Sequence, residues 1–309
     1  MIADLPTFDL AELKALEPST LAALNDTCSR TGFLLVRDSQ LDREALANAN
    51  EACDQFFALP DAVKLRYTHE HQTIVPPTCR GYIPRLGETL HPRTGRDEKE
   101  CFDLGFELPP DGRSFVGPTN FPSETEAPEF RRRLLALQQR AMGDIAPVLA
   151  HALCTLLGVE RHVADQVMGS PTLIQRVSRY TTQTGCGAHT DGGLFTILFR
   201  PADDQSLQVL VDEQWMTIPP TPGTFIVNLG DILQRWSGGR YHSTPHQVLH
   251  GSDRPRITHA FFVYPAVDSV ISPIDGSSQF RPVEIMNDNF VSIWTAGRGA
   301  GRAQELTTT

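Results

Sequence analysis

The chain has 309 residues, of which 40% are hydrophobic and 21% charged, and its formal net charge at pH 7 is −10. That length allows a large buried core in one domain or two, and the composition is ordinary for a globular protein. The acidity, and the lack of any run of about five or six Lys and Arg, argue against nucleic acid or an anionic membrane as a partner.

Targeting signals and cysteine spacing bear on the compartment. The first residues show neither the basic nor the apolar segment of a signal peptide, and no run of about 18 apolar residues predicts a membrane span. The six cysteines show no CxxC spacing; they are Cys28, Cys53, Cys79, Cys101, Cys154 and Cys186. We therefore expect reduced thiols and a cytoplasmic location.

The first half of the chain has mainly helical patterns. Amphipathic spacing predicts helices over residues 19–30 and 41–59, with a strand over 32–36 between them and a helical turn over 61–67. The stretch 69–99 is rich in Pro, Gly, Arg and Thr and lacks periodicity, so a long irregular segment is expected there.

A longer helix is predicted over residues 127–157. Apolar residues recur at helical spacing along it, and Gly158 follows as a stop signal. A helix of that length with one apolar side needs a sheet or barrel to pack on. A short helix over 160–168 is expected to follow.

From Thr172 onward the pattern changes to short strands separated by Gly and Pro. The candidate strands are 173–180, 194–199, 207–211, 214–218, 224–228, 246–249 and 256–264. Many short strands with such punctuation predict a sandwich or barrel. A last helix is expected over 282–296. We expect one domain over 1–309, with a helical and flanking layer (1–170), a catalytic β core (171–281), and a C-terminal helix and tail (282–309).

Two histidines and one carboxylate in the β-rich half suggest a metal site. In an extended segment residues i and i+2 face the same side, so His189 and Asp191 can hold one ion while Thr190 faces away. His246 would join them from a distant strand once the fold has closed. Two histidines and a carboxylate with open coordination positions form the facial triad typical of non-haem Fe(II) oxygenases.

Other residues near these three offer rival interpretations. His242, His246 and His250 are spaced by four, as in a helical zinc site, but Pro245 and the β-rich flanks argue against a helix there. Asp231 is expected to cap a turn or helix rather than act as a base. Cys186 lies near enough in sequence to approach the metal, although a packing role is favoured.

The residues around the three candidate ligands form a longer framework. Its segments are Gly187–Thr196, Leu207–Val209, Trp215, Pro219–Pro220, Val227–Asp231, Gly239–Tyr241, Ser243–His246 and Phe261–Phe262. This framework resembles the isopenicillin N synthase-like family of Fe(II)/2-oxoglutarate-dependent dioxygenases. The resemblance covers roughly the whole chain and is specific in the C-terminal half. It implies a mainly β fold with flanking helices, in which a double-stranded β-helix, or jelly roll, forms the core.

The resemblance also implies the chemistry. Fe(II), O2 and 2-oxoglutarate would serve the oxidation of an unactivated C–H bond in a small-molecule metabolite, with release of succinate and CO2. Hydroxylation, desaturation and cyclisation all stay open as outcomes. No obligatory protein partner is implied.

Arg256 is the candidate anchor for the cosubstrate. It shares one strand face with Thr258, and an inward arginine needs an anion to offset its desolvation. A guanidinium binds a carboxylate through two parallel hydrogen bonds, which suits the distal carboxylate of 2-oxoglutarate. Tyr180 matches a family tyrosine that reaches the same carboxylate, and Ser178 stands where relatives often have Asn. The alternative for Arg256 is a surface ion pair.

Candidates for the substrate pocket are less specific. They are Arg80, Tyr82, Phe102, Phe195 and Met286, of which the first three lie in segments that resemble the edge of the family's active site. Two other functions stay open. One is an oxidase of the same fold that does not use 2-oxoglutarate, with Arg256 holding a substrate carboxylate. The other is a barrel that binds a ligand without catalysis.

Overall fold

The structure is a computed structural model that describes residues 4–40, 43–68, 78, 80–88, 99–181, 185–249 and 254–295, with side chains to 289. Its N-terminal elements are β1 (Thr7–Asp9), α1 (Leu10–Ala15), α2 (Pro18–Arg30), β2 (Phe33–Arg37), α3 (Arg43–Phe57) and α4 (Asp61–Lys64), the last continued by a 3-10 turn at Leu65–Tyr67. The predicted helix–strand–helix order is confirmed. Sequence patterns missed β1 and α1, because such short elements span too few residues to show a period.

The long helix is confirmed, with an irregularity. It consists of α5 (Phe130–Gln139), a π-helical stretch (Arg140–Ile145) and α6 (Ala146–Leu157), and α7 (Arg161–Met168) follows. Gly158 ends it with a left-handed backbone at φ 67°, as a C-terminal glycine commonly does. By length and composition alone this helix could cross a membrane, but 56% of its most apolar window is buried in the fold. That burial is what a helix supporting a core requires.

Ten further strands and two helices complete the described chain. They are β3 (Gly81–Ile83), β4 (Lys99–Leu104), β5 (Thr172–Tyr180), β6 (Cys186–His189), β7 (Phe195–Phe199), β8 (Leu207–Val211), β9 (Gln214–Thr217), β10 (Thr224–Leu229), α8 (Asp231–Trp236), β11 (His246–Val248), β12 (Arg256–Tyr264) and α9 (Pro282–Thr295). All seven predicted strands are present. The stretch 69–99 was expected to be irregular; β3 lies within it, and 69–77, 79 and 89–98 are outside the described residues.

The strands form two sheets. The larger has the order β1-β2-β10-β7-β12-β5-β4-β3, and the smaller has the order β6-β11-β8-β9. Together they make the predicted jelly-roll core. The central strands β5 and β12 are buried along nearly their whole length, including polar residues such as Gln175 and Arg176.

The side-chain alternation of β12 separates a packing face from a functional face. Phe261 and Val263 belong to the large apolar core that includes the long helix. Arg256, Thr258, Ala260 and Phe262 point instead into a cavity between the sheets. Because side chains alternate along a strand, one segment both anchors the helical layer and lines the cavity.

Candidate active site

A cavity of about 80 Å³ lies inside the jelly roll. A single water needs roughly 10–15 Å³ of such space, so this cavity has room for several, or for a small bound molecule. Twelve of its 19 lining residues have polar side chains. Its polar lining residues are Lys99, Arg176, Ser178, Tyr180, His189, Asp191, Thr196, Asp204, Asn228, His246, Arg256 and Thr258.

The structure brings the three predicted metal ligands together. His189 ends β6, His246 begins β11, and the two residues are register partners in the smaller sheet. Asp191 Oδ1 lies 3.8 Å from His189 Nε2 and 3.6 Å from His246 Nε2. One candidate ligand atom from each residue lies within 4.8 Å of the others. The third ligand depends on strand pairing across 57 residues of chain, which no local pattern encodes.

Hydrogen bonds orient the carboxylate of Asp191. Its Oδ2 accepts from Thr196 Oγ1 at 2.5 Å and from Asn228 Nδ2 at 2.7 Å. Oδ1 therefore faces the histidines. Sequence reasoning did not single out Thr196 or Asn228, although both lie in the framework that carries the family resemblance.

Backbone carbonyls orient the two imidazoles. His189 Nδ1 lies 2.7 Å from the Gly187 carbonyl oxygen, and His246 Nδ1 lies 3.2 Å from that of Thr244. A carbonyl can only accept, so each Nδ1 carries the proton and each Nε2 presents its lone pair to the cavity.

The electrostatic environment of the two histidines and Asp191 favours binding of a cation. Burial, together with the nearby His189, lowers the pKa of His246 to about 4. Burial alone would raise the pKa of Asp191, but the two histidines and its hydrogen bonds lower it. Two imidazoles and one carboxylate on one side of a cavity match the preferences of Fe(II) and leave its other positions open. The residues present therefore fit the metal.

The predicted cosubstrate residues line the same cavity. Strand register places Arg256 opposite Tyr180 and Thr258 opposite Ser178. The Arg256 guanidinium carbon lies 4.3 Å from the centre of the Tyr180 ring. As predicted, Arg256 points inward, and only 8% of its side chain is exposed.

The partner of Arg256 was not foreseen. One of its terminal nitrogens, Nη1, forms an ion pair with Asp204 and donates a hydrogen bond to Ser206 Oγ. Its Nε is buried and has no hydrogen-bond partner. A buried unpartnered donor beside a cavity fits an incoming carboxylate, so the site also fits 2-oxoglutarate. The alternative of a surface ion pair is wrong, because both partners are buried.

The five substrate-pocket candidates do not line the cavity. Arg80 donates to the backbone carbonyls of Phe106 and Phe115, and so braces a loop. Tyr82 and Phe102 pack in an aromatic cluster with Phe56 on the outer side of the sheet. The remaining two, Phe195 and Met286, belong to the core beneath the long helix. An aromatic residue on a strand can point to either face of the sheet, and the face is set by the strand's pairing. These aromatic side chains point to the packing face.

Two charged residues that were not among the predicted site residues lie beside the metal site. Lys99 and Arg176 line the cavity, and both bind Glu88 Oε1, at 2.8 and 2.9 Å. Arg176 also holds Asp103 through two bonds of 2.8 and 2.7 Å. Strand alternation could have identified Arg176, because it stands two residues before Ser178.

The rival residues occupy other positions. His242 is exposed and is not part of the ligand group. Asp231 begins α8 and accepts a hydrogen bond from Thr190 Oγ1 at 3.2 Å. Cys186 does line the cavity, with its sulfur 3.9 Å from His189 Nδ1 and 3.4 Å from Lys99 Nζ.

Known proteins are similar to this chain in sequence and in architecture. Residues 171–265 match the 2OG-Fe(II) oxygenase superfamily, and residues 5–124 match the N-terminal region of the non-haem dioxygenase in morphine synthesis. The 2-oxoglutarate-dependent dioxygenase tropC of Talaromyces stipitatus is 28% identical over 270 residues, covering 82% of each chain. A homoarginine-6-hydroxylase of Oryza sativa is 29% identical over 268 residues, covering 82% of this chain and 79% of the relative.

Solved structures agree on the fold. The Neurospora crassa protein crystallised with alpha-KG and thymine has a TM-score of 0.78 at 22% identity, covering 93% of this chain and 97% of that one. A Caulobacter crescentus protein described as of the 2OG-Fe(II) oxygenase family has a TM-score of 0.73 at 26% identity, covering 93% and 98%.

A jelly roll with two histidines and a carboxylate facing its cavity defines a non-haem Fe(II) oxygenase. The chain belongs to the 2OG-Fe(II) oxygenase superfamily, as its sequence resemblance indicated. It is a non-haem Fe(II)/2-oxoglutarate-dependent dioxygenase, and Fe(II), 2-oxoglutarate and O2 are its cofactor and cosubstrates.

Proposed function

We propose that this dioxygenase oxidises an unactivated C–H bond of a small-molecule metabolite, with His189, Asp191 and His246 holding Fe(II). Bound Fe(II) and 2-oxoglutarate supply O2 activation coupled to decarboxylation, so that substrate, O2 and 2-oxoglutarate give oxidised substrate, succinate and CO2. The observation that carries the proposal is the three converging ligand atoms in one cavity with the buried, unpartnered Nε of Arg256.

Each cavity residue has a proposed task. Asn228 and Thr196 keep Asp191 aimed at the metal, and the Gly187 and Thr244 carbonyls hold the imidazole rings with Nε2 toward the cavity. Arg256 binds the distal carboxylate of 2-oxoglutarate, with Tyr180 against its guanidinium face and the Ser178 and Thr258 hydroxyls beside it. The two sheets exclude bulk water, which strengthens each of these charged interactions.

The substrate is proposed only as a class. Relatives named for their activity include homoarginine-6-hydroxylases, and a structural neighbour was crystallised with thymine, so we propose a small molecule as the substrate. Lys99 and Arg176 border the metal site and are the residues we expect substrate to meet. A cytoplasmic location is also proposed; the five cysteines in the described part of the chain are free thiols, which suits a reducing compartment.

Succinate release tests the assignment. The purified protein would be supplied with Fe(II), O2 and a panel of small metabolites, while succinate and product mass are measured with and without 2-oxoglutarate. Asp191→Ala should abolish turnover and Fe(II) binding, because it removes the anionic ligand. Asp231→Asn, at the neighbouring carboxylate outside the triad, is the matched control and should keep Fe(II) binding.

The same assay separates the two enzymatic alternatives. Arg256→Ala should weaken 2-oxoglutarate binding about a hundredfold or more, because a buried charge-assisted pair typically contributes about 3–5 kcal/mol. Product formed without 2-oxoglutarate, combined with loss of substrate binding in Arg256→Ala, would instead establish the 2-oxoglutarate-independent oxidase.

A further inference from the structure

A buried carboxylate sits at the cosubstrate end of the cavity. Asp204 lies between β7 and β8, and its Oδ1 accepts from Ser206 N at 3.0 Å and Ser206 Oγ at 2.6 Å. Arg200 clamps the same segment by donating to the Asp204 backbone carbonyl at 3.0 Å and to that of Ile218 at 2.9 Å. The carboxylate is therefore held in one orientation.

This carboxylate contacts one side of Arg256 only. Asp204 and Ser206 Oγ both bind Nη1, while Nε stays buried without a hydrogen-bond partner. The Nε and Nη2 hydrogens form a complete two-pronged donor edge of a guanidinium. Tyr180 restrains the plane of the same group from its face, 4.3 Å away. The ion pair with Asp204 thus fixes the Arg256 guanidinium and leaves its Nε and Nη2 edge, the two-pronged fork, for a carboxylate in the cavity.

The local charges leave room for one more anion. Arg200 and Arg256 are two cations around the single carboxylate of Asp204. Burial lowers the pKa of Arg200; the charge of Asp204 opposes this effect, and the charge of Arg256 adds to it. Burial alone would raise the pKa of Asp204, but Arg256 and Ser206 lower it. One buried positive charge is left without a counterion among these three residues, and the distal carboxylate of a cosubstrate would balance it.

We propose that Asp204, held by Ser206, is a positioning residue that aims the Arg256 fork and thereby selects the chain length of the cosubstrate. A fork fixed at one distance from the metal accepts 2-oxoglutarate and disfavours 2-oxoadipate, which is one methylene longer. The inference rests on the proposed role of Arg256 as the cosubstrate anchor. No covalent step is involved, so binding alone can test it.

The test is calorimetric titration of the protein carrying Zn(II) in place of Fe(II), which prevents turnover. The probes are 2-oxoglutarate, 2-oxoadipate and pyruvate, the last of which has no distal carboxylate. Asp204→Asn should weaken 2-oxoglutarate binding by about tenfold or more, as loss of an orienting partner typically does. Binding of 2-oxoadipate should weaken less, so the preference between the two diacids narrows, and pyruvate binding should not change.

Two further variants keep the test decisive. Ser206→Ala removes the hydroxyl that contacts both Asp204 and Arg256, and it should also narrow the preference for 2-oxoglutarate over 2-oxoadipate. This variant tests the proposal if the melting temperature of Asp204→Asn shows that Asp204→Asn folds poorly. Asp203→Asn changes the exposed neighbouring carboxylate and should match the wild type. Tighter 2-oxoglutarate binding in Asp204→Asn would show that Asp204 competes with the cosubstrate, and would overturn the proposal.

Failure of the anchor itself gives a different result. If Arg256→Ala binds 2-oxoglutarate as well as the wild type does, the proposed cosubstrate site is wrong. If Arg256→Ala loses that binding while Asp204→Asn and Ser206→Ala keep wild-type affinity and preference, the anchor stands and only the positioning role fails.

Discussion

Asn228 holds Asp191 from the side away from the two histidines, with Nδ2 2.7 Å from Oδ2. Thr196 Oγ1 binds the same oxygen at 2.5 Å. The carboxylate therefore cannot turn its second oxygen toward the cavity without breaking two buried hydrogen bonds. One amide on β10 and one hydroxyl on β7 thus fix a ligand that lies in the turn after β6.

Removing that support should weaken metal binding. Asn228→Ala is expected to lower metal affinity by about 10–100-fold, the usual effect of losing a hydrogen bond to a metal ligand. Calorimetry with Zn(II) measures this without turnover. Gln247→Ala is the control; it lies next to His246 but bonds Gln208 instead, so its metal affinity should be unchanged. Equal affinities for Asn228→Ala and the wild type would contradict the orienting role.

Replacing the guanidinium by an ammonium should recover only part of the cosubstrate affinity. Arg256→Lys keeps the charge but loses the two-pronged donor edge and the flat contact with Tyr180. Its 2-oxoglutarate affinity should fall between those of the wild type and Arg256→Ala, while its metal affinity stays at the wild-type value. Wild-type affinity in Arg256→Lys would mean that a point charge suffices.

The ion pair of Arg176 and Asp103 should matter for stability as a pair. Their side chains are 11% and 0% exposed, so Asp103→Asn leaves a buried cation short of a partner, at a cost of about 3–5 kcal/mol in the free energy of unfolding. Adding Arg176→Met should restore part of that loss.

Urea unfolding of both variants measures the effect. Asp26→Asn is the control, because it breaks an exposed ion pair with Arg30. The side chains of Arg30 and Asp26 are 75% and 65% exposed, so this variant should leave the free energy of unfolding almost unchanged. If Asp103→Asn/Arg176→Met is no more stable than Asp103→Asn, Glu88 alone is a sufficient partner for the charge of Arg176.

A buried histidine should make the protein sensitive to mild acid. His259 lies on the outer face of β12, with Nε2 2.8 Å from Asn50 Oδ1, and burial lowers its pKa from 6.5 to about 3. Between these values the unfolded chain holds a proton that the folded protein does not. Stability is therefore fully present above pH 6.5 and falls as the pH drops through this window, by about 2 kcal/mol at pH 5.

His259→Gln should remove that slope and keep a donor for Asn50. Melting temperatures from pH 7.5 to pH 5 should fall less steeply in this variant than in the wild type. His162→Gln, at a side chain that is 73% exposed, is the control and should keep the wild-type slope. Parallel curves for all three proteins would show that His259 is not the sensitive group.

Much of this architecture could be predicted from local pattern. Short runs rich in apolar and β-branched residues, with Gly and Pro between them, predicted all seven strands from 173 to 264, because such runs are typical of strands and Gly and Pro end them. The spacing of His189 and Asp191 predicted that both would face one ion, because i and i+2 share a side of an extended segment. Both conclusions depend only on backbone geometry over a few residues.

Tertiary structure decided the rest. Pairing of β6 with β11 brings His246 to His189. Phe195 and Met286 pack in the core beneath the long helix and do not line the cavity. The segment between β7 and β8 places Asp204 against Arg256, 52 residues further along the chain. Asp204 is thus an anion within the protein, whereas the sequence pointed only to the carboxylate of 2-oxoglutarate. An inward arginine shows that a negative charge must be near; only the folded chain shows which carboxylate already supplies part of it.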